Sequence, residues 1–243
     1  MTKLLAYVFS ALLSTLNPVW GAELTILTEN LPPLNFTRDG KLVGPSVEIV
    51  EEIQRRVGST ATIHVYPWAR AYQRALQEKN IVLFGTTHTS DRQDKFKWVG
   101  PLAAKRDILV AKKGSGIVID SLDDARKVRR IGTLRDDSRE QFLRVNGFDN
   151  LELVADEQQN ARKLVHGRID LWAYKVPGLK TVCELAGINF DEVEEVFSLR
   201  EIDVSIAFSI KTSDTIVLAW QNAFDQMTAD GTLSRIKEKW HTE

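Results

Sequence analysis

Short apolar runs alternate with helically spaced apolar positions through the first half of the chain. The runs predict strands at Leu24–Leu27, Ala61–Tyr66 and Ile81–Phe84. The apolar positions within Val47–Val57 and Ala69–Gln77 recur at helical spacing and predict helices. Strands that alternate with helices in this way are typical of a mostly parallel sheet covered by helices.

The same alternation restarts in the second half. The predicted strands there are Ile108–Lys112, Ile131–Leu134, Leu151–Val154, Ile169–Ala173 and Asp203–Ser209. The predicted helices are Ser138–Val145, Glu157–His166 and two C-terminal segments with apolar stripes within Val217–Met227 and Leu233–Trp240. Two α/β units of about 100 residues each indicate two lobes. A ligand cleft is expected between them, because ligands bind beyond the carboxyl ends of strands and at domain interfaces.

The N-terminus has the order of a secretory signal peptide, which we place at residues 1–21. Lys3 precedes an apolar run from Leu4 to Leu16, which is shorter than the roughly 20 residues of a membrane-spanning helix. Small residues then predict cleavage near Gly21–Ala22. The alternative is an N-terminal anchor that is never removed. A cleaved signal predicts a periplasmic protein.

Composition is that of an ordinary globular protein and narrows the classes of partner. Apolar residues make up 43% and charged residues 27% of the 243 residues. The 32 basic and 33 acidic residues are interspersed and give a net charge of −1, so we expect no nucleic-acid partner. The four histidines lack metal-ligand spacing, and we expect no metal and no cofactor.

Several short motifs follow one another in a characteristic order between Leu24 and Trp240. They are Glu29–Phe36 (ENLPPLNF), Gly40–Gly44 (GKLVG), Pro67–Arg70 (PWAR), Gly85–Arg92 (GTTHTSDR), Phe96–Leu102 (FKWVGPL), Ile131–Thr133 (IGT), Gly167–Asp170 (GRID) and Asp230–Leu233 (DGTL). In this order they resemble the bacterial extracellular solute-binding proteins of family 3, the polar-amino-acid type that serves ABC importers. The resemblance covers nearly the whole mature chain.

The resemblance implies an α/β protein with the type II fold of periplasmic binding proteins. Lobe 1 would comprise residues 22–104 and 203–243, and lobe 2 residues 105–202. Two strands would cross between the lobes, near Ala103–Lys105 and near Glu201–Asp203. The resemblance also implies a monomer whose lobes close over a small-molecule ligand by a hinge motion and dock on an ABC permease in the inner membrane.

Arg92 follows the predicted strand Ile81–Phe84 at its carboxyl end, where a cleft is expected. A guanidinium grips a carboxylate through two parallel hydrogen bonds, and the resemblance gives Arg92 that role. The alternative is a surface arginine paired with a neighbouring aspartate. Gly85 and Thr87 would offer backbone groups and a hydroxyl to the ligand, or serve only the turn.

Three residues near the first strands are further candidates. Trp68 would lie against the ligand, or else be an ordinary core tryptophan. Arg70, two residues on, is either a ligand contact or a solvated helix residue. Glu29, at the end of the first strand, would accept a hydrogen bond from a ligand amine or hydroxyl, or form a salt bridge to a cleft arginine.

In the second half, Asp137, Ser138 and Arg139 open a predicted helix, and free N–H groups at a helix start bind anions. The resemblance implies that this turn completes a carboxylate site. If Asp137 caps the helix instead, it occupies those N–H groups and repels an anion, for which Arg139 would compensate.

Lys175 stands where the resemblance leads us to expect an acid that pairs with the ligand's ammonium. A lysine there attracts an anion and repels an ammonium. We therefore expect weak binding of simple neutral and cationic α-amino acids, and a preference for an oxo acid, a dicarboxylate or a similar anion. The alternative is that Lys175 faces solvent or pairs with Glu29.

Two other functions remain open. The first is an enzyme like the cyclohexadienyl and arogenate dehydratases of the same fold, in which Glu29, with a raised pKa, would be the acid. The second is a periplasmic sensor input protein. We favour a binding protein without catalysis.

Overall fold

Strands and helices alternate along the described chain, which is residues 24–240 of the computed structural model. The strands are β1 (Thr25–Thr28), β2 (Phe36–Arg38), β3 (Lys41–Val43), β4 (Ile63–Val65), β5 (Ile81–Thr87), β6 (Phe96–Lys112), β7 (Ile131–Leu134), β8 (Leu151–Val154), β9 (Leu171–Val176) and β10 (Val193–Ser209). The helices are α1 (Pro45–Val57), α2 (Trp68–Gln77), α3 (Leu122–Lys127), α4 (Ser138–Val145), α5 (Glu157–Val165), α6 (Leu179–Leu185), α7 (Asp214–Ala229) and α8 (Thr232–Lys239). The predicted signal peptide lies outside the described residues.

Eight of these strands form one mixed sheet in the order β4-β1-β5-β10-β6-β9-β7-β8. At its first end, β4, β1 and β5 are parallel to one another. At its second end, β9, β7 and β8 are parallel to one another. The predicted strand–helix alternation is confirmed, because each parallel end is built from strands joined by helices.

The strands β6 and β10, each of 17 residues, lie antiparallel to each other between the two ends. Asp203 lies opposite Ala104, and Val204 lies opposite Ala103, so the two segments predicted to cross are paired side by side. These strands are much longer than the two apolar runs within them suggest.

A buried charge pair explains why the sequence predicts only parts of these two strands. The Lys105 ammonium lies 3.1 Å from the Asp107 carboxylate, and both side chains are almost fully buried. Arg200 of β10 completes the group at 3.0 Å from Asp107. Charged residues inside a strand break the apolar pattern, and here two cations share the one buried carboxylate of Asp107.

Each end of the sheet has its own apolar core. On the first end, α1 and α7 pack so that Ile53, Phe208 and Trp220 are completely buried. On the second end, α5 and α6 cover Trp172 and Cys183. Among residues 24–240, no helix is both long and apolar enough to cross a membrane.

A third apolar cluster joins the two ends. It brings Leu27 and Tyr72 of the first end together with Leu134 and Val154 of the second end. Leu134 and Val154 are the last residues of β7 and β8, so the two ends meet where parallel strands terminate. This is the region in which the sequence predicts a ligand cleft.

Candidate ligand-binding site

A cavity of about 340 Å³ lies where the two ends of the sheet meet. Its lining comes from residues that follow β1, β4, β7 and β8, together with parts of β9 and α6. The lining residues are Glu29, Asn30, Leu31, Pro32, Val65, Tyr66, Pro67, Trp68, Leu134, Arg139, Ala155, Asp156, Glu157, Gln158, Tyr174, Lys175, Val182 and Leu185. Four of the residues predicted to bind ligand are among them: Glu29, Trp68, Arg139 and Lys175.

Glu29 and Lys175 face this cavity from opposite ends of the sheet. Glu29 is 7% exposed and Lys175 is 1% exposed. Within the described chain the Glu29 carboxylate has no hydrogen bond, and the Lys175 ammonium has only the Tyr174 hydroxyl, at 3.5 Å. Burial raises the pKa of Glu29 and lowers the pKa of Lys175, while the attraction between the two groups opposes both shifts. Both charges are therefore poorly compensated.

Arg139 sits beside Lys175 and is held by two carboxylates. Its Nε donates to Asp137 at 2.6 Å, and its Nη2 lies 2.8 Å from Glu157. Its Nη1 is buried and has no hydrogen-bond partner among the described residues. An unpaired buried donor in a cavity wall is a place where a ligand acceptor would be stabilised.

Asp137 caps α4, which is one of the two alternatives that the sequence leaves open. Its carboxylate accepts the backbone N–H of Arg139 at 2.9 Å. Burial alone would raise the pKa of Asp137, but Arg139 and Lys105 outweigh burial and hold that pKa well below its usual range. A permanent carboxylate thus occupies the start of α4.

Arg92 lies outside the cavity lining and is completely buried. Its Nη2 donates to the Asp136 carbonyl at 3.2 Å and its Nε donates to Gln141 at 3.1 Å, both on the second end. The guanidinium also lies over the rings of Tyr72, at 4.6 Å, and Trp68, at 5.2 Å.

We call this group the closing seam: Trp68, Arg92, Asp136 and Gln141. The Asp136 carbonyl accepts three hydrogen bonds there, from Arg92, from Trp68 Nε1 at 2.9 Å and from Gln141 Nε2 at 3.2 Å. Asp136 has a φ of 57°, a left-handed backbone that turns its carbonyl out between β7 and α4.

A model of the bacterial extracellular solute-binding proteins, family 3, matches residues 24–243. The chain belongs to this family. It is 27% identical over 225 residues to the L-cystine-binding protein TcyJ of Escherichia coli (strain K12), a match that covers 90% of this chain and 82% of that protein. It is 23% identical over 203 residues to the L-cystine-binding protein TcyA of Bacillus subtilis (strain 168), covering 84% of this chain and 74% of that one.

Solved structures confirm the expected type II periplasmic binding fold. An ancestral arginine-binding protein bound to arginine superposes with a TM-score of 0.78 at 22% identity, covering 90% of this chain and 97% of that chain. A histidine kinase sensor domain with similarity to periplasmic binding proteins gives a TM-score of 0.78 at 20% identity, covering 89% and 95%. The likeness to both an arginine-binding protein and a sensor domain concerns the fold alone.

The remaining predicted site residues of this solute-binding protein lie behind or beside the cavity. Gly85 has a φ of 80°, and an added Cβ would come within 2.9 Å of Asn35. The backbone carbonyl of the buried Thr87 accepts from Arg92 at 3.4 Å. Arg70 is exposed, and its guanidinium lies 4.6 Å from the ring of Tyr66, which lines the cavity.

Ser138 does not line the cavity either. Its hydroxyl is buried without a hydrogen-bond partner among residues 24–240, and its carbonyl accepts from Arg200 at 2.9 Å. The ligand roles of Arg92, Gly85, Thr87, Arg70 and Ser138 stay predictions.

Sequence reasoning missed the wall contributed by the start of α5. Glu157 lies there, and its Oε2 accepts from Trp172 at 2.8 Å and from Asn160 at 3.1 Å. The rule that selected Arg92 also applies to this segment, since Glu157 follows the buried end of β8. Tyr66, at the end of β4, could have been found in the same way.

Proposed function

We propose that this protein captures a small polar or anionic solute in the cavity and delivers it to an ABC importer. The observation that carries the proposal is the pair of buried, poorly compensated groups in the cavity wall, Glu29 and Lys175, together with the unpaired Nη1 of Arg139. Buried charged groups are normally paired, so a wall with unpaired ones is suited to a polar ligand.

The rest of the transport role follows the family. Residues 1–21 would be removed on secretion to the periplasm, and the mature protein would act as a monomer without a cofactor. Residues 22–104 with 203–243 would form lobe 1, and residues 105–202 lobe 2. The closing seam supports a hinge, because Arg92 and Trp68 of lobe 1 bond the Asp136 carbonyl of lobe 2.

The ligands named for the relatives guide the choice of compounds. Two curated relatives are L-cystine-binding proteins, and one solved structure is bound to arginine. Lys175 argues against simple neutral and cationic α-amino acids, because their ammonium would meet a buried cation. The test panel therefore holds amino acids, including L-cystine and arginine, together with oxo acids, hydroxy acids, dicarboxylates and amines.

Thermal unfolding of the mature protein against this panel tests the proposal. A ligand at 100 times its Kd stabilises the folded state by about 2.7 kcal/mol, which shifts the midpoint clearly. Small-angle scattering with and without the strongest hit should show a more compact particle when the ligand is bound. A panel without a single stabilising compound would contradict a binding function.

One observation favours the alternative function, an enzyme like the dehydratases of the same fold. Glu29 lies in the cavity wall with a raised pKa, which is the property that an acid assisting loss of a leaving group requires. Incubation with prephenate or arogenate, followed by assay of phenylpyruvate or phenylalanine, decides this point. Product formation that disappears in Glu29→Gln would favour the enzyme over the binding protein.

A further inference from the structure

The protein already satisfies two of its anion-binding features with its own atoms. The carboxylate of Asp137 occupies the start of α4 and accepts from Arg139 Nε at 2.6 Å. The guanidinium of Arg92 is used by the Asp136 carbonyl and by Gln141. A ligand carboxylate at either place would have to displace a group of the chain.

Two other donors remain without full partners. The Lys175 ammonium, 1% exposed, has only the Tyr174 hydroxyl at 3.5 Å, and Arg139 Nη1 has no partner among the described residues. Lys175 and Arg139 both line the cavity and interact electrostatically with each other. Two neighbouring cations in a buried wall attract one anion, and an anion there relieves their mutual repulsion.

The rest of the charged lining is acidic. Glu29, Asp156 and Glu157 contribute carboxylates to the same cavity. Glu157 is engaged by Arg139 and Trp172, and Asp156 caps α5 by accepting from the backbone of Gln158 at 3.0 Å. Glu29 is the acid whose oxygens have no hydrogen bond within residues 24–240. Where Glu29 is ionised, a second ligand carboxylate is disfavoured here and a hydrogen-bond donor fits; because burial raises the pKa of Glu29 to about 8, this applies at about pH 8 and above.

We propose that the cavity selects a small monocarboxylate whose carboxylate binds Lys175 and Arg139 and whose other end donates a hydroxyl or ammonium hydrogen to Glu29. The proposal rests on the proposed binding function and names its ligand class. It narrows the class of anionic ligands expected from the sequence, because it excludes dicarboxylates.

The walls between the two charged ends fit an apolar body. Leu31 and Val65 on one side and Val182 and Leu185 on the other contribute aliphatic side chains. The rings of Tyr66, Trp68 and Tyr174 add aromatic surface. Glu29 and Lys175 form no ion pair within 4.0 Å, so a ligand that contacts both carries its donor and its carboxylate at separate positions on this body. An α-amino acid, with both groups on one carbon, would bring its ammonium to Lys175.

A matched series of four-carbon compounds tests the proposal on the mature protein. The probes are 4-hydroxybutyrate, 4-aminobutyrate, butyrate, succinate and 1,4-diaminobutane, added at millimolar concentration during thermal unfolding and calorimetry. The two compounds with one carboxylate and one donor should bind most tightly, and 1,4-diaminobutane should not bind. Equal or tighter binding of succinate or of 1,4-diaminobutane would overturn the proposal.

Substitutions then locate the two ends of the ligand. Lys175→Met should lower the affinity for the carboxylate compounds about 30-fold or more, as expected when one partner of a buried charge pair is lost. Lys180→Met, at an exposed position on α6, is the matched control and should change nothing. Glu29→Gln should lower the affinity for 4-aminobutyrate more than the affinity for 4-hydroxybutyrate. The affinity for butyrate should change least.

The outcomes separate this inference from the function on which it rests. If a compound from the broad panel binds and Lys175→Met leaves its affinity unchanged, the ligand class is wrong and the binding function stands. If the strongest binder of either panel lacks a carboxylate, the conclusion is the same. If neither panel contains a binder, both proposals fail.

Discussion

The closing seam and the cavity each contain a buried cation, and the two cations differ in the number of partners that the chain gives them. Arg92 in the seam donates to Thr87, Asp136 and Gln141, and its guanidinium stacks on two rings. Among residues 24–240, Lys175 in the cavity has one hydrogen-bond partner, the neighbouring Tyr174 hydroxyl at 3.5 Å, and its ammonium lies 4.6 Å from the centroid of the same ring. Both side chains are at most 1% exposed.

On the proposed function, the difference separates residues that hold the two ends of the sheet together from residues that would receive a ligand. A buried charge whose nitrogens each donate to the chain stabilises the conformation in which those bonds form. A buried charge without partners destabilises that conformation until something else compensates it. Substitutions in the seam should therefore weaken every ligand equally, while substitutions in the cavity should act on particular ligands.

The largest effect is expected for Asp137, where the two regions meet. Asp137→Ala removes the cap of α4 and leaves Arg139 with a single acidic partner in a buried site. Removing one partner of a buried pair typically costs about 3–5 kcal/mol. The free energy of unfolding, measured in urea, should fall by about that amount.

The control for Asp137 is Asp156, which also caps a helix but is exposed. Asp156→Ala loses a cap without stranding a buried arginine, so a loss of about 1 kcal/mol is expected. Equal losses in the two variants would mean that the Asp137–Arg139 pair contributes nothing beyond capping.

Much of the fold could be predicted from the apolar pattern. The bounds predicted for Ile131–Leu134, Ser138–Val145 and Leu151–Val154 are those of β7, α4 and β8. In this region β7 is buried throughout, β8 ends at the buried Val154 and α4 starts after the capping Asp137, so local signals agree with the tertiary structure. The prediction missed β2, β3, α3 and α6, which are short or largely polar; β2 and β3 pair only with each other, as a hairpin of three residues on each side.

The candidate site was harder to predict, because strand ends show where a side chain starts but not what it contacts. The rule placed Glu29, Trp68 and Arg139 near the cleft, and they line the cavity. The same rule selected Arg92, whose long side chain instead reaches the Asp136 carbonyl. That contact depends on the left-handed turn at Asp136, for which a non-glycine residue gives little sequence signal.

The next largest effect concerns Arg92. Arg92→Ala removes the charged hydrogen bonds to Asp136 and Gln141 and the stacking on Trp68, for an expected loss of about 2–4 kcal/mol in closure. Calorimetry should show the same loss for every ligand that binds, with or without a carboxylate. Arg70→Ala is the control, since Arg70 is exposed and stacks only on Tyr66. This variant should bind ligands with nearly the affinity of the wild type. A loss confined to carboxylates would instead assign Arg92 the ligand-clamping role expected from the family.

A smaller effect is expected from pH, and it distinguishes the cavity from the seam. Burial lowers the pKa of Lys175, and Arg139 and Lys105 lower it further, whereas burial raises the pKa of Glu29. Rising pH therefore removes positive charge from Lys175 and adds negative charge to Glu29. The affinity for butyrate, which has no ammonium for Glu29 to attract, should fall as pH rises, by at most about tenfold per pH unit for each proton involved.

Calorimetry between about pH 6 and about pH 9 measures this dependence. Glu157 and Tyr174 also face Lys175, so the wild-type curve alone does not identify the titrating group. The double variant Glu29→Gln, Lys175→Met should bind carboxylates weakly and with little pH dependence. A double variant with the wild-type slope would place the titration elsewhere.

The smallest effect is expected for the hydrogen bond of Trp68, which belongs to both regions. Its ring lines the cavity, while its Nε1 donates to the Asp136 carbonyl at 2.9 Å. Trp68→Phe keeps an aromatic wall and removes this donor, but the carbonyl retains Arg92 and Gln141 as partners. Because no buried acceptor is left unpaired, a loss of about 1 kcal/mol is expected, or roughly fivefold in affinity for every ligand. Trp68→Ala removes the wall as well, and should weaken ligands with a large apolar body more than small ones. If Trp68→Phe already discriminated between ligands by size or charge, the seam and the cavity would not be separable at this residue.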